Sequence, residues 1–201
     1  DECLAMAYLL VRRNVSTLTD LELACSCARK QDNLLHAVFS CSRLKRLKWD
    51  VAELTRDESR LLSRVPSLEA LEVGGADWEV LLSMQLPLRR IAVPTPLEPP
   101  QFATLFTHTL LESLMLYLGQ LSPKERVRLL DGLSQLPRLS SLELIFQEQL
   151  EPLHSALLSE RLYFRSLRKL ALTFESGEVG MPPDLVLPPL LAPLLEEFSA
   201  E

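Results

Sequence analysis

Glycine is scarce in this chain, at six of 201 residues, and asparagine occurs only at Asn14 and Asn33. So few glycines leave little material for a phosphate-cradling loop. No glycine-rich nucleotide motif, H-E-x-x-H pair, G-x-S-x-G elbow or C-x-x-C redox pair is present. Positive charge is also short: 21 Lys and Arg face 27 Asp and Glu, for a net charge of -6. A generic nucleic-acid binder is thereby excluded, because it needs surplus cations to displace counterions from phosphates. Apolar runs fall short of the roughly 18 residues that span a membrane, and the longest, 185–195, is broken by Pro188, Pro189 and Pro193. Residues 3–11 are apolar, but Asp1 and Glu2 precede them and Arg12 and Arg13 follow, the reverse of a signal peptide's charge order.

Cysteine is absent after position 41. Cys3, Cys25, Cys27 and Cys41 read as reduced thiols serving as small apolar residues. In a secreted protein they would instead close a disulfide cap, with Asn14-Val15-Ser16 as a glycosylation acceptor. A zinc reading of Cys25, Cys27, His36 and Cys41 lacks the paired C-x-x-C knuckles, so no metal and no cofactor is expected.

Leucine is what the chain has in excess: 48 residues, against 11 valines and 2 isoleucines. Such a bias fits a repeat that demands one side-chain shape at one place many times. The form L-x-x-L-x-L occurs as Leu139-Ser-Ser-Leu142-Glu-Leu144 and returns as Leu167-Arg-Lys-Leu170-Ala-Leu172. It is also met, with aliphatic, aromatic or small substitutions, from Leu18, Leu44, Leu68, Leu88, Leu111 and Leu195. The eight starts are separated by 26, 24, 20, 23, 28, 28 and 28 residues. Between them, period 2 gives way to period 3.6. Thr55-Arg-Asp-Glu58 and Ser122-Pro-Lys-Glu125 are capping boxes that open helices. Apolar faces follow at Leu61, Leu62 and Val65 and at Leu129, Leu130, Leu133 and Leu136. Trp78, Leu81 and Leu82 are spaced the same way, as are Phe102, Leu105, Phe106 and Thr109, and Leu150, Leu153, Leu157 and Leu158.

These motifs resemble the leucine-rich repeat family over residues 18–200. The resemblance implies an α/β solenoid, with a curved parallel sheet on the concave side and helices on the convex side. One departure concerns the position three residues past the last motif leucine, where the family has Asn or Cys. Ser26, Ala52, Ala76, Pro96, Gly119, Gln147 and Glu175 stand there, so an asparagine ladder is impossible. A single domain over 1–201 is expected, with 1–17 as an N-terminal helical cap built on Leu4, Ala7, Tyr8 and Val11. The stretch 94–100 reads as a rigid turn after the fourth strand and Gly74-Gly75 as a tight exit turn. The eighth motif ends at Ala200 and Glu201 without a following cap, and no Met opens the chain; a piece of a longer protein is expected.

His36, His108 and His154 fall in different helical segments and do not suggest a catalytic set, so no enzyme is expected. In L-x-x-L-x-L the leucines turn inward and the intervening residues face the concave side. The candidate partner-binding residues there are Arg46, Lys48, Glu72, Arg90, Met115, Tyr117, Glu143, Ile145 and Lys169. Met115, Tyr117 and Ile145 form an apolar patch unless a flanking loop covers it. A non-catalytic module for protein–protein interaction is therefore expected, with no direct nucleic-acid, membrane or small-molecule ligand. The irregular repeat lengths resemble the intracellular repeats found beside F-box and related adaptor segments, although no F-box is visible. That resemblance implies substrate recognition for a ubiquitin ligase in the cytoplasm or nucleus. A structural subunit using the convex face or loops, and an extracellular recognition domain, are the alternatives.

Overall fold

The computed structural model describes residues 2–24, 32–51, 53–119, 121–146, 163–174 and 195–200. The protein is α/β, with parallel strands alternating with helices, and falls into two compact units, Asp1–Pro94 and Thr95–Glu201.

The first unit runs α1 (Glu2–Arg13), β1 (Asp20–Ala24), α2 (Asp32–Phe39), β2 (Arg46–Asp50), α3 (Arg56–Leu61), β3 (Ala70–Val73), α4 (Trp78–Ser83) and β4 (Arg90–Val93). A 3-10 turn, Leu62–Arg64, continues α3. Each strand pairs in parallel with the next, and Leu21, Leu47, Leu71 and Ile91 lie side by side. The second unit contains α5 (Pro99–Leu105), β5 (Ser113–Leu118), α6 (Pro123–Ser134), β6 (Ser141–Phe146), β7 (Lys169–Phe174) and β8 (Glu197–Ala200). Here too the strands pair in parallel in chain order, with Leu114, Leu142 and Leu170 in one row.

All eight strands begin two residues after the start of an L-x-x-L-x-L motif. The first motif leucine sits just ahead of the strand and is buried at Leu44, Leu68, Leu88, Leu111, Leu139 and Leu167. Backbone bonding at this point recurs from step to step. The N–H groups of Lys45 and Arg46 both donate to Thr19 O, at 2.7 and 3.0 Å, and those of Glu69 and Ala70 to Lys45 O, at 2.8 and 2.9 Å. In the second unit Ser140 and Ser141 donate to Glu112 O, and Arg168 and Lys169 to Ser140 O, at 2.8 to 3.0 Å. Within each unit one carbonyl of a motif thus holds the entry of the next strand and fixes its register. Serine hydroxyls reinforce these steps: Ser67 Oγ donates to Ser42 O at 2.9 Å and Ser166 Oγ to Pro137 O at 2.7 Å. Both serines stand one residue ahead of a motif, and both acceptors two residues ahead of the preceding one.

At the exit of β3, Ala76 occupies a position the family pattern gives to asparagine. It forms a parallel bridge with Leu54, whose N–H donates to Gly75 O at 2.8 Å. Backbone pairing thereby satisfies polar groups at this bend. Gly74 and Gly75 form the exit bend, and neither has a positive φ. A Cβ on Gly74 would come within 2.9 Å of Asp50 Oδ1, so close approach rather than backbone freedom is what uses glycine here.

Both capping boxes form. Thr55 N donates to Glu58 Oε2 at 2.7 Å, Ser122 N donates to Glu125 Oε2 at 2.8 Å, and Pro123 takes the first helical position of α6. Asp77 caps α4 by accepting from Val80 N at 3.1 Å. The proline-rich stretch divides differently from its reading as one rigid turn. Its last two residues, Pro99 and Pro100, open α5, and Glu98 N donates to Gln101 Oε1 at 2.7 Å. Proline fits the first helical turn because its missing N–H would have no partner there. The apolar spacing extended the same helix to Thr109, but α5 ends at Leu105, and His108 lies buried in the turn that follows. His36 is on α2 and exposed; His154 and the segment containing Leu150, Leu153, Leu157 and Leu158 lie outside the described residues, as do Cys25 and Cys27.

The core joins the buried strand faces to the buried helix faces. Leu62, Val65, Leu81, Leu105, Leu129 and Leu133 are fully enclosed with the motif leucines. Leu4 and Val11 anchor α1, which packs beside α2. Leu21 and Leu23 of β1 are only half-buried, whereas Leu47 and Trp49 of β2 are enclosed, since β2 has a strand on each side.

Candidate partner-binding face

Strand alternation leaves one face of each unit's sheet without core duty. In the first unit this outer face holds Arg46, Lys48, Glu72 and Arg90. Parallel register sets Asp20 beside Arg46 and aligns Glu22, Lys48 and Glu72 in a row. Arg46 Nε lies 2.8 Å from Asp20 Oδ1, and Lys48 Nζ lies 3.4 Å from Glu22 and 3.1 Å from Glu72. Hydrogen bonding and charge from Glu72, then from Glu22, hold the Lys48 ammonium above the ordinary lysine range. A parallel row at the strand entries joins Lys45 to Glu69 at 3.5 Å and Arg89 to Glu69 at 3.9 Å. Read along the sequence, these residues form separate acidic and basic patches; across the sheet they neutralise one another. Arg46, Lys48 and Glu72 are therefore engaged within the chain, and a partner reaching them exchanges one set of solvent-screened ion pairs for another, with little net gain. Arg90 is exposed and makes no ion pair among the described residues.

The second unit differs in character. Met115 and Tyr117 on β5 lie directly beside Glu143 and Ile145 on β6, followed by Ala171 and Thr173 on β7. All six are half-buried. Ser113, Ser141, Lys169 and Glu197 form the polar row at the strand entries, where Lys169 Nζ meets Glu197 Oε2 at 2.6 Å and Arg168 meets Glu196 at 2.8 Å. Four of the nine candidate residues, Met115, Tyr117, Glu143 and Ile145, thus form one contiguous patch. Lys169 lies one strand away and is already paired. Residues 147–162, which follow β6 in the sequence, lie outside the described residues.

One apolar surface was not anticipated. Met6, Leu9 and Leu10 of α1 are 63%, 50% and 56% exposed, on the side away from Leu4 and Val11. The sequence signal was available, because α1 carries more large apolar residues than one buried stripe can use. Among the described residues no group of three or more His, Cys, Asp or Glu side chains could hold a metal ion, and no helix is long and apolar enough to cross a membrane. Surface depressions of about 410 Å³ beside Asp131, Tyr163 and Arg165 and about 310 Å³ beside Arg56, Arg60 and Glu79 include none of the nine candidate residues. Cys3 is exposed and Cys41 buried, both as free thiols; burial raises the Cys41 pKa, and its Sγ donates to Ala37 O at 3.4 Å. Family models, curated proteins and solved structures were compared with the chain, and none matches.

Proposed function

We propose that this chain is a leucine-rich-repeat module that binds another protein through the outer sheet face of its second unit and performs no catalysis. The observation that carries the reading is the contiguous set Met115, Tyr117 and Ile145, held half-exposed on paired strands whose alternate residues form the core. Rigid presentation of an aromatic and two aliphatic side chains, bordered by charge, is how interfaces concentrate their energy. Eight strands in motif register support the repeat reading. Substrate recognition for a ubiquitin ligase, in the cytoplasm or nucleus, is the setting we assign on the resemblance alone.

Copurification from cells identifies the partner, and binding is then measured for three variants. Tyr117→Ala should weaken it by about 2 kcal/mol or more with the fold intact. Arg90→Glu should act mainly on association rate and salt dependence, because Arg90 is exposed and has no ion pair among the described residues. Replacement of residues 95–99 should have little effect. Loss confined to the loop variant overturns the proposal. A structural subunit docking through its helices is the second reading, favoured by exposed Met6, Leu9 and Leu10; loss on Leu10→Ser with Tyr117→Ala silent would select it.

A further inference from the structure

We propose that the patch on β5 and β6 receives an arginine side chain of the partner, with Glu143 as its counter-charge. This rests on the reading of that face as the partner-binding surface and names the chemistry it selects. Charged residues on the outer faces and strand entries are matched across strands in both units: Asp20 with Arg46, Glu22 and Glu72 with Lys48, Arg168 with Glu196, Lys169 with Glu197. Glu143 breaks this pattern. It is the third residue of its strand, the place Lys48 holds on β2, but its neighbours in register are Met115 and Ala171. Among the described residues it has no ion pair. Asp50 and Arg90 have no ion pair among the described residues either, but both are exposed to water, whereas Glu143 is half-buried between Met115 and Ala171.

The surroundings define what completes the site. Met115 lies beside Glu143, Ile145 is two residues further along the same strand, and Tyr117 lies diagonally across, within reach of a long side chain. Methylene groups of an arginine cover Met115 and Ile145 while the guanidinium meets the carboxylate, and its planar face suits the Tyr117 ring. The chain contains such a pair in Arg12, whose guanidinium carbon lies 5.9 Å from the Tyr8 ring centre. An apolar partner side chain alone would leave the Glu143 carboxylate desolvated without a partner, which is unfavourable.

The test titrates the intact protein, observed through its backbone amide resonances, with acetyl-Leu-Arg-Leu-amide and with its citrulline analogue, which keeps the shape and loses the charge. The arginine peptide should shift β5 and β6 amides and bind about fivefold or more tightly than the citrulline peptide, an advantage that shrinks with salt. Glu143→Gln should erase the advantage without changing the unfolding midpoint. Equal affinity for the two peptides, or an advantage that survives in Glu143→Gln, overturns the proposal. If both peptides bind equally and Tyr117→Ala weakens both, the face remains a binding surface and only the arginine assignment falls. If neither shifts β5 and β6, both readings fall.

Discussion

Two single residues show how cross-strand placement changes what a side chain does. Lys48 sits between Glu72 and Glu22, and its raised pKa means that the folded state holds this proton more tightly than the unfolded chain does. Its contribution to stability is complete below the ordinary lysine value of 10.5 and is lost as pH rises through the raised folded value. The stability difference between wild type and Lys48→Met should therefore shrink at strongly alkaline pH, followed by urea unfolding; a difference that grows there contradicts the pairing. Ser59, on α3, illustrates the opposite condition, since its hydroxyl is fully buried without a hydrogen-bond partner among the described residues. Removing an unsatisfied polar group from the interior is neutral or favourable. Ser59→Ala should leave stability unchanged or raise it by about 1 kcal/mol, and a clear loss would show that the hydroxyl has a partner.

At the scale of elements, α6 depends on a cap at its start and on a gap in its last turn. Ser122 donates to Glu125 through both its backbone N–H and its hydroxyl, and these bonds hold the Glu125 pKa below the usual range. The stabilisation is present above the ordinary glutamate value and disappears as pH falls through the lowered one. Glu125→Gln should therefore lose stability relative to wild type at neutral pH and match it more closely in acid, as read by thermal unfolding across pH. Gly132 lies against the Phe106 ring at the end of α5, and a Cβ at that position would overlap the ring. Gly→Ala within a helix ordinarily stabilises by about 0.5 to 1 kcal/mol. Here the sign should reverse, with a loss of about 1 to 3 kcal/mol from overpacking. Chemical denaturation checks it, and a gain would show that α5 can move aside.

For the molecule as a whole, parallel pairing of strands in chain order makes stability a matter of neighbours. Leu142 is 2% exposed and lies in register between Leu114 and Leu170. Leu142→Ala should cost roughly 2 to 5 kcal/mol. Because β6 pairs with both β5 and β7, faster amide exchange should extend from β6 into those two strands while β1 to β3 stay protected. A loss below about 1 kcal/mol, or exchange confined to β6, would contradict a shared leucine row.

Strand positions were legible in the sequence because each follows from a local rule. A motif leucine is buried ahead of each of β2 to β7, alternation turns the next leucines inward, and Thr55 and Ser122 with their partners three residues on start two helices by short-range hydrogen bonds. Alternation also identified the outward residues, including the Met115, Tyr117, Glu143 and Ile145 set. What could not be read locally depends on residues 23 to 29 positions apart: the ion pairs that occupy Arg46, Lys48 and Glu72, the serine bonds from Ser67 and Ser166, and the lack of a charged residue in register with Glu143. Helix packing likewise decided what Gly132 makes room for and which apolar residues of α1 face water. Periodicity assigns a residue to a face, but its neighbours on that face are set by register, and register is a property of the paired strands.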